Sequence, residues 1–189
     1  MDAALVSEKV DQAHTAVADS DADAWVIFCR ETTETREPSL PYVLGFDVVW
    51  PTAVVIGPEE STVILGRHDA PTAEDLGVHE VRPYDESIRE DLRDTLSRMD
   101  ADRLALNFDR DDPVADGLSH GLFLKLDDLL PGREFVSASG IVADVRGIKS
   151  ETEHERIETA ADTTLDLLHD AVAEWTPHTT DAELADSLH

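Results

Sequence analysis

The residues able to do chemistry are scattered along the chain, and none of them completes a catalytic constellation. His68 stands beside Asp69 at the end of an expected strand. Sheet ends of that kind carry binding groups in α/β proteins, although a capping or surface role suits the same position. Asp116 and His120 lie four positions apart, which on a helix would offer a metal two ligands from one face. Two ligands do not make a site. Asn107-Phe108-Asp109-Arg110-Asp111 sets oxygen ligands at alternate positions, as calcium loops do. Its sixth position is Asp112 rather than glycine and its twelfth is Leu118 rather than glutamate, so a solvated acidic turn is favoured. Ser137-Ala138-Ser139-Gly140 lacks the first glycine of a nucleophile elbow. His154, within Glu151-Thr152-Glu153-His154-Glu155, lacks the second histidine of a zinc helix. Cys29 ends an apolar run, so buried packing is expected there rather than a reactive thiolate.

The elements that would position these groups can be read from hydrophobic period and punctuation. Val6, Val10, Ala13 and Val17 recur at helical spacing, and Ala24–Cys29 is an apolar run of strand length. Glu31 to Pro41 is polar, contains two prolines and is expected to be a loop. Ala53–Ile56 and Thr62–Leu65 flank Gly57–Ser61, which predicts a hairpin. A short helix over Ala70–Leu76, a strand over Val78–Val81 and a helix from Ser87 follow, the last presenting Ile88, Leu92, Leu96 and Met99. Leu104–Leu106 and Phe135-Val136 are the remaining strands, and Pro113 predicts the start of a helix over 114–130. Strands alternate with helices, so the class is α/β with a mixed sheet.

Beyond residue 145 the pattern changes. Ser150 and Glu153 form a capping box ahead of Ile157, Ala161, Thr164, Leu168, Ala171 or Val172, and Trp175, an apolar stripe ending at Thr176-Pro177. Thr180 with Glu183 starts another helix, whose apolar face begins with Leu184 and Leu188. The chain ends at His189 about two turns later, which reads as a sequence that continues.

Charge narrows the function classes. The 189 residues carry 42 acidic and 15 basic side chains, a formal net charge of −27. Such a surface repels phosphate backbones and anionic headgroups, so neither nucleic acid nor membrane is an expected partner. No apolar run has the length of a membrane helix, and the single cysteine suits a reducing cytoplasm. The acids are spread throughout, lysine occurs only at Lys9, Lys125 and Lys149, and amides only at Gln12 and Asn107. That many carboxylates exceed what a site could use. They predict a halophilic surface, whose self-repulsion is screened at high salt.

Two segments carry a resemblance. Tyr42-Val43-Leu44-Gly45-Phe46, followed by the apolar hairpin, resembles the Tyr-Leu-Thr-Gly-Phe segment of the creatinase/prolidase/aminopeptidase P family of metallopeptidases. Val145-Arg146-Gly147-Ile148-Lys149-Ser150-Glu151-Thr152-Glu153 resembles that family's Leu-Arg-x-Ile-Lys-Ser-x-x-Glu junction, and the spacing between the segments suits its N-terminal domain. Leu44 departs from the usual threonine, and His154 stands where an aliphatic residue is common.

The resemblance implies a ribonuclease H-like mixed sheet flanked by helices over 1–145. Residues 146–189 would then be the truncated start of a pita-bread catalytic domain. It implies an Xaa-Pro peptidase in which two divalent metals (manganese, cobalt or zinc) are held by two Asp, one His and two Glu, all downstream of this chain. No catalytic, metal or cofactor residue is therefore expected here. The implied roles are dimerisation as a homodimer, contact with the protein's own catalytic domain, and capping of an active site that takes a peptide with proline at P1′. Asp47 and Trp50, in the loop Phe46–Pro51, are the implied substrate lip: Asp47 for an α-ammonium group, Trp50 as a pocket wall. Arg146 and Lys149 are expected to fix the interdomain junction. A creatinase-like amidinohydrolase and a non-enzymatic binding module that kept the fold remain open alternatives.

Overall fold

The computed structural model describes residues 2–173, 175, 176 and 178–187. The chain divides into two units, Met1–Ile148 and Lys149–His189.

The first unit opens with α1 (Ala3–Ala18), whose Asp2 carboxylate accepts from Leu5 N and whose Val6, Val10, Ala13 and Val17 are buried as their spacing predicts. β1 (Ala24–Cys29) is buried at every position. α2 (Leu40–Val43) is a single turn, so the expected loop stops short of Pro41, which sits inside the turn. β2 (Thr52–Ile56) and β3 (Ser61–Gly66) form the expected antiparallel hairpin, followed by α3 (Ala70–Leu76) as anticipated. β4 (Glu80–Tyr84) begins two residues later than expected, because its parallel register with β3 runs from Thr62–Glu80 to Gly66–Tyr84. It lies at the sheet edge, where Pro83 is tolerated. α4 (Arg89–Arg98), β5 (Arg103–Leu106), α5 (His120–Leu129), β6 (Glu134–Ser137) and α6 (Ser139–Gly147) complete the unit.

The sheet order is β4-β3-β2-β1-β5-β6. β2 pairs antiparallel on both sides and every other pairing is parallel, so five strands end on one edge. The period of two along β1 divides the core: Trp25, Ile27 and Cys29 pack with α1, α3 and α6, while Ala24, Val26 and Phe28 pack with α4 and α5. A mixed sheet between two helical layers is the fold class that the sequence implies.

Two elements differ from expectation. The helix expected from Pro113 begins only at His120. Asp109 Oδ1 accepts from Asp111 N and Asp112 N, Asp112 Oδ1 accepts from Val114 N, and Leu118 N donates to Asn107 O. Side-chain caps of that kind hold the backbone in turns. Ser119 then caps α5 through its hydroxyl to Leu122 N. α6 was not foreseen: Ser137–Gly140 is a strand-to-helix turn, and Ile141, Val142 and Val145 are the buried face that follows.

In the second unit, Ser150 and Glu153 form the capping box, with Ser150 N to Glu153 Oε2 at 3.0 Å and Glu153 N to Ser150 Oγ at 3.3 Å. α7 (Glu151–Ala173) exposes Ile157, Leu165, Leu168 and Val172, and Trp175 beyond it is 61% exposed. α8 (Asp181–Ser187) starts from the Thr180–Glu183 box. Pro177, Leu188 and His189 lie outside the described residues. Among those described, no helix is long and apolar enough to cross a membrane.

Candidate functional site

Five strands ending on one edge bring the loops after β1 and β5 and the segment before β2 together there. Loops at the carboxyl ends of parallel strands are where α/β folds place ligands. A cleft of about 480 Å³ lies on this edge, lined by Thr32, Thr33, Arg36, Glu37, Phe46 and Asp47 among others.

Glu37, which lines the cleft, belongs to a buried polar network behind it. Trp25 Nε1 donates to Asn107 Oδ1 at 2.6 Å, and Asn107 Nδ2 donates to Glu37 Oε1 at 2.5 Å and to Ser39 Oγ at 3.1 Å. Glu37, 3% exposed, turns its other oxygen to Ser39 N and Leu40 N at 2.8 and 2.7 Å. It thereby satisfies the open amides at the start of α2. Burial raises the Glu37 carboxyl above the usual range, against the pull of Asn107, the two amides and the charge of Arg146. Gly117 closes the back of the network, where a Cβ would stand 2.5 Å from Glu37 Oε1 and 2.7 Å from Pro38 Cδ. A side chain has no room there.

The rim is fixed from both ends. Gly45 has φ +76°, a conformation glycine adopts without strain, and turns the chain out of α2. Val43 O accepts from His79 Nε2 at 2.6 Å, which leaves Nδ1 to accept from the Ser61 hydroxyl at 2.9 Å. Burial lowers the His79 pKa, so the ring that holds this turn is neutral. Past the turn, the Thr32 hydroxyl donates to Asp47 Oδ1 at 2.8 Å and accepts from Val48 N at 2.9 Å. The Asp47 side chain is exposed on the cleft with one oxygen oriented by Thr32.

Trp50 stands apart from Asp47. Its indole covers Gly66, where an added Cβ would meet the ring at 2.8 Å, and it packs against His68 and Tyr84 with centroids 5.9 Å away in both cases. At 38% exposure it lines a separate hollow of about 370 Å³ with Tyr84, Asp85 and Ile88. Asp47 and Trp50 therefore share the sheet edge and not one pocket.

The remaining chemical candidates fall into structural positions. His68 meets the edge of Trp50, and Asp69 Oδ2 accepts from Val49 N at 3.4 Å. Asp116 is in the turn before α5 and His120 is its first residue, so they do not share a helix face. Asp109 is held at a pKa of about 2 by the amides of Asp111 and Asp112 and the Ser137 hydroxyl, the acidic turn favoured by its sequence. That contact also occupies Ser137. Cys29 is buried and free, and burial pushes its thiol far up, which makes it inert. His154 is exposed on α7. Among the described residues no three His, Cys, Asp or Glu converge on a metal position. Glu37, Asn107 and Gly117 were missed by the sequence reading. The one available signal was Asn107 itself, an amide in a chain nearly stripped of amides.

Comparison with known proteins places this geometry. The family described as Creatinase/Prolidase N-terminal domain matches residues 3–148. No curated protein matches. Among solved structures, an Xaa-Pro dipeptidase from Bacillus anthracis superposes with a TM-score of 0.66 at 17% identity, covering 97% of this chain and 47% of that one. An X-Pro aminopeptidase from Thermotoga maritima gives 0.64 at 21%, covering 95% and 47%. A proline dipeptidase structure from Streptococcus pneumoniae gives 0.59 at 17%, covering 75% of this chain and 99% of that one. At these identities the structures testify to fold, and this chain spans about half the length of the first two. With the family match running from α1 to the end of α6, the chain belongs to the creatinase/prolidase N-terminal domain family.

Proposed function

We propose that this chain is the non-catalytic N-terminal part of an Xaa-Pro peptidase and that its cleft caps the active site. The observation that carries the reading is Asp47, exposed on the cleft and oriented by the Thr32 hydroxyl at 2.8 Å. Arg36 lines the same cleft, so a carboxylate and a guanidinium stand ready for the two charged ends of a short peptide. Pro38, Leu40, Pro41 and Phe46 supply an apolar wall between them. Asp47 takes the α-ammonium group in this account, and Trp50 shields the approach from its neighbouring hollow.

The second unit is the opening of the catalytic domain, and the exposed stripe Ile157, Leu165, Leu168 and Val172 is covered by the rest of that domain or by the second subunit of a homodimer. The two divalent metals that the family implies do not fit the described residues, so no step through a metal is assigned to this chain. Cytoplasmic residence belongs to the same reading and is supported by the buried free thiol of Cys29.

In the protein carrying both domains, Asp47→Ala is expected to raise KM for Xaa-Pro peptides about tenfold with little change in kcat, the loss of one charge-assisted contact. Thr32→Val, which releases the carboxylate and removes the acceptor of Val48 N but keeps the Asp47 charge, should give a smaller rise in the same parameter. Unchanged steady-state kinetics in Asp47→Ala would contradict the contact.

A further inference from the structure

The two segments that carry the family resemblance lie far apart in sequence and meet in the fold. Two cations lie over the ring of Tyr42: Arg146 Cζ is 5.3 Å from its centroid and Lys9 Nζ is 5.9 Å from it. Lys9 is fully buried, and its ammonium donates to Val145 O at 2.7 Å, Ile148 O at 3.0 Å and Gln12 Oε1 at 3.0 Å. Val145 and Ile148 form the last turn and C-cap of α6. Helix ends leave such carbonyls open, and a cation is favoured there. Arg146, from the same turn, reaches Pro38 O at 3.5 Å. Pro38 adjoins Glu37, whose carboxylate holds the start of α2.

A four-residue helix cannot hold its own geometry, because nucleation is unfavourable without outside contacts. Glu37 secures its start and His79 its last carbonyl; the buried Leu40 and Val43 and the ring of Tyr42 tie it to α1 and α6. We infer that Lys9, Tyr42 and Arg146 form a clamp that joins the exit of the first unit to the cleft segment, making Tyr42 and Arg146 positioning residues for Asp47. Two cations over the ring restrain rotation of the turn, and the chain from Tyr42 reaches Asp47 through only Val43, Leu44, Gly45 and Phe46. That the clamp serves substrate binding rests on the cleft reading above; its existence does not.

Amide hydrogen exchange on the 189-residue chain in molar salt tests it. The reporters are Leu44 N and Gly45 N, both bonded to Leu40 O, and Val48 N, bonded to the Thr32 hydroxyl. Ile27 and Val54, paired across β1 and β2, are the reference. Tyr42→Leu is expected to speed exchange at the three reporters about tenfold while Ile27 and Val54 keep their rates. Tyr42→Phe retains the ring face and should keep wild-type protection. Wild-type rates at the reporters in Tyr42→Leu, or equal acceleration at the reference amides, would overturn the clamp and leave Tyr42 as ordinary packing. If Tyr42→Leu does not fold, Arg146→Gln decides: the reporters alone must accelerate, and unchanged rates overturn the proposal. An Asp47 variant without kinetic effect would sink the substrate reading and leave these rates untouched, so the two claims fail separately.

Discussion

Transfer from about 3 M KCl to a buffer of about 10 mM ionic strength is expected to lower the thermal midpoint by more than about 10 °C, because the Debye length grows from a few Å to roughly 30 Å. The net charge of −27 on 189 residues is then unscreened in the compact state and partly relieved on unfolding. Local pairing offsets only part of it. Arg98 joins Glu80 at 2.7 Å and Glu60 at 3.3 Å, Arg82 meets Glu80 at 2.9 Å, and Arg103 and Arg133 pair with Glu134 and Asp102. These contacts are substantially exposed, and exposed pairs contribute little each. Circular-dichroism melts over a KCl series check the expectation. A midpoint that does not move between molar and millimolar salt would remove the halophilic reading.

Asn107→Asp is expected to destabilise the first unit by about 3–5 kcal/mol at pH 8, since it sets a second carboxylate against one that is already buried. Asn107 Nδ2 lies 2.5 Å from Glu37 Oε1, so the new pair must share a proton or repel. Burial already raises the Glu37 carboxyl, and the new neighbour raises it further. The sign follows from linkage. A folded-state pKa above the unfolded value gives stability that is whole below the unfolded pKa and lost as pH rises through the folded one. The deficit of the variant should therefore shrink by about 2 kcal/mol or more between pH 8 and pH 5. Urea midpoints of both proteins at the two pH values, in molar salt, measure it. A deficit that is absent, or equal at both pH values, would contradict the buried Asn107–Glu37 contact.

The architecture was legible because most of it is written in period and punctuation. The apolar run Ala24–Cys29 is a strand buried on both faces, the Gly57–Ser61 breakers do turn a hairpin, and Ala70–Leu76 has the bounds its sequence implied. Both capping boxes form the reciprocal bonds that Ser150, Glu153, Thr180 and Glu183 suggest. The failures have local causes. Pro113 can open a helix, yet the side chains of Asp109 and Asp112 captured the amides that a helix would have used. α6 was hidden behind a serine- and glycine-rich start that resembled a loop.

The site was legible only in part. The resemblance pointed to Asp47, whereas the network beside the cleft depends on Glu37, Asn107 and Trp25, which are brought together by the strand order alone. Pairwise contacts between residues 70 and 82 positions apart leave no periodic trace. The resemblance implied Trp50 beside Asp47, as parts of one loop lining a substrate lip. The turn before β2 sends it over Gly66 instead, into a different hollow.

The most direct test of the central claim is to read the coding sequence beyond the codon for His189. The account predicts a frame that continues for about as many codons again, in line with the 47% of the Bacillus anthracis structure that this chain covers. That frame should supply two aspartates, one histidine and two glutamates as metal ligands. A frame that stops at His189, or one that runs on without those five residues, would contradict the peptidase reading and leave a binding domain.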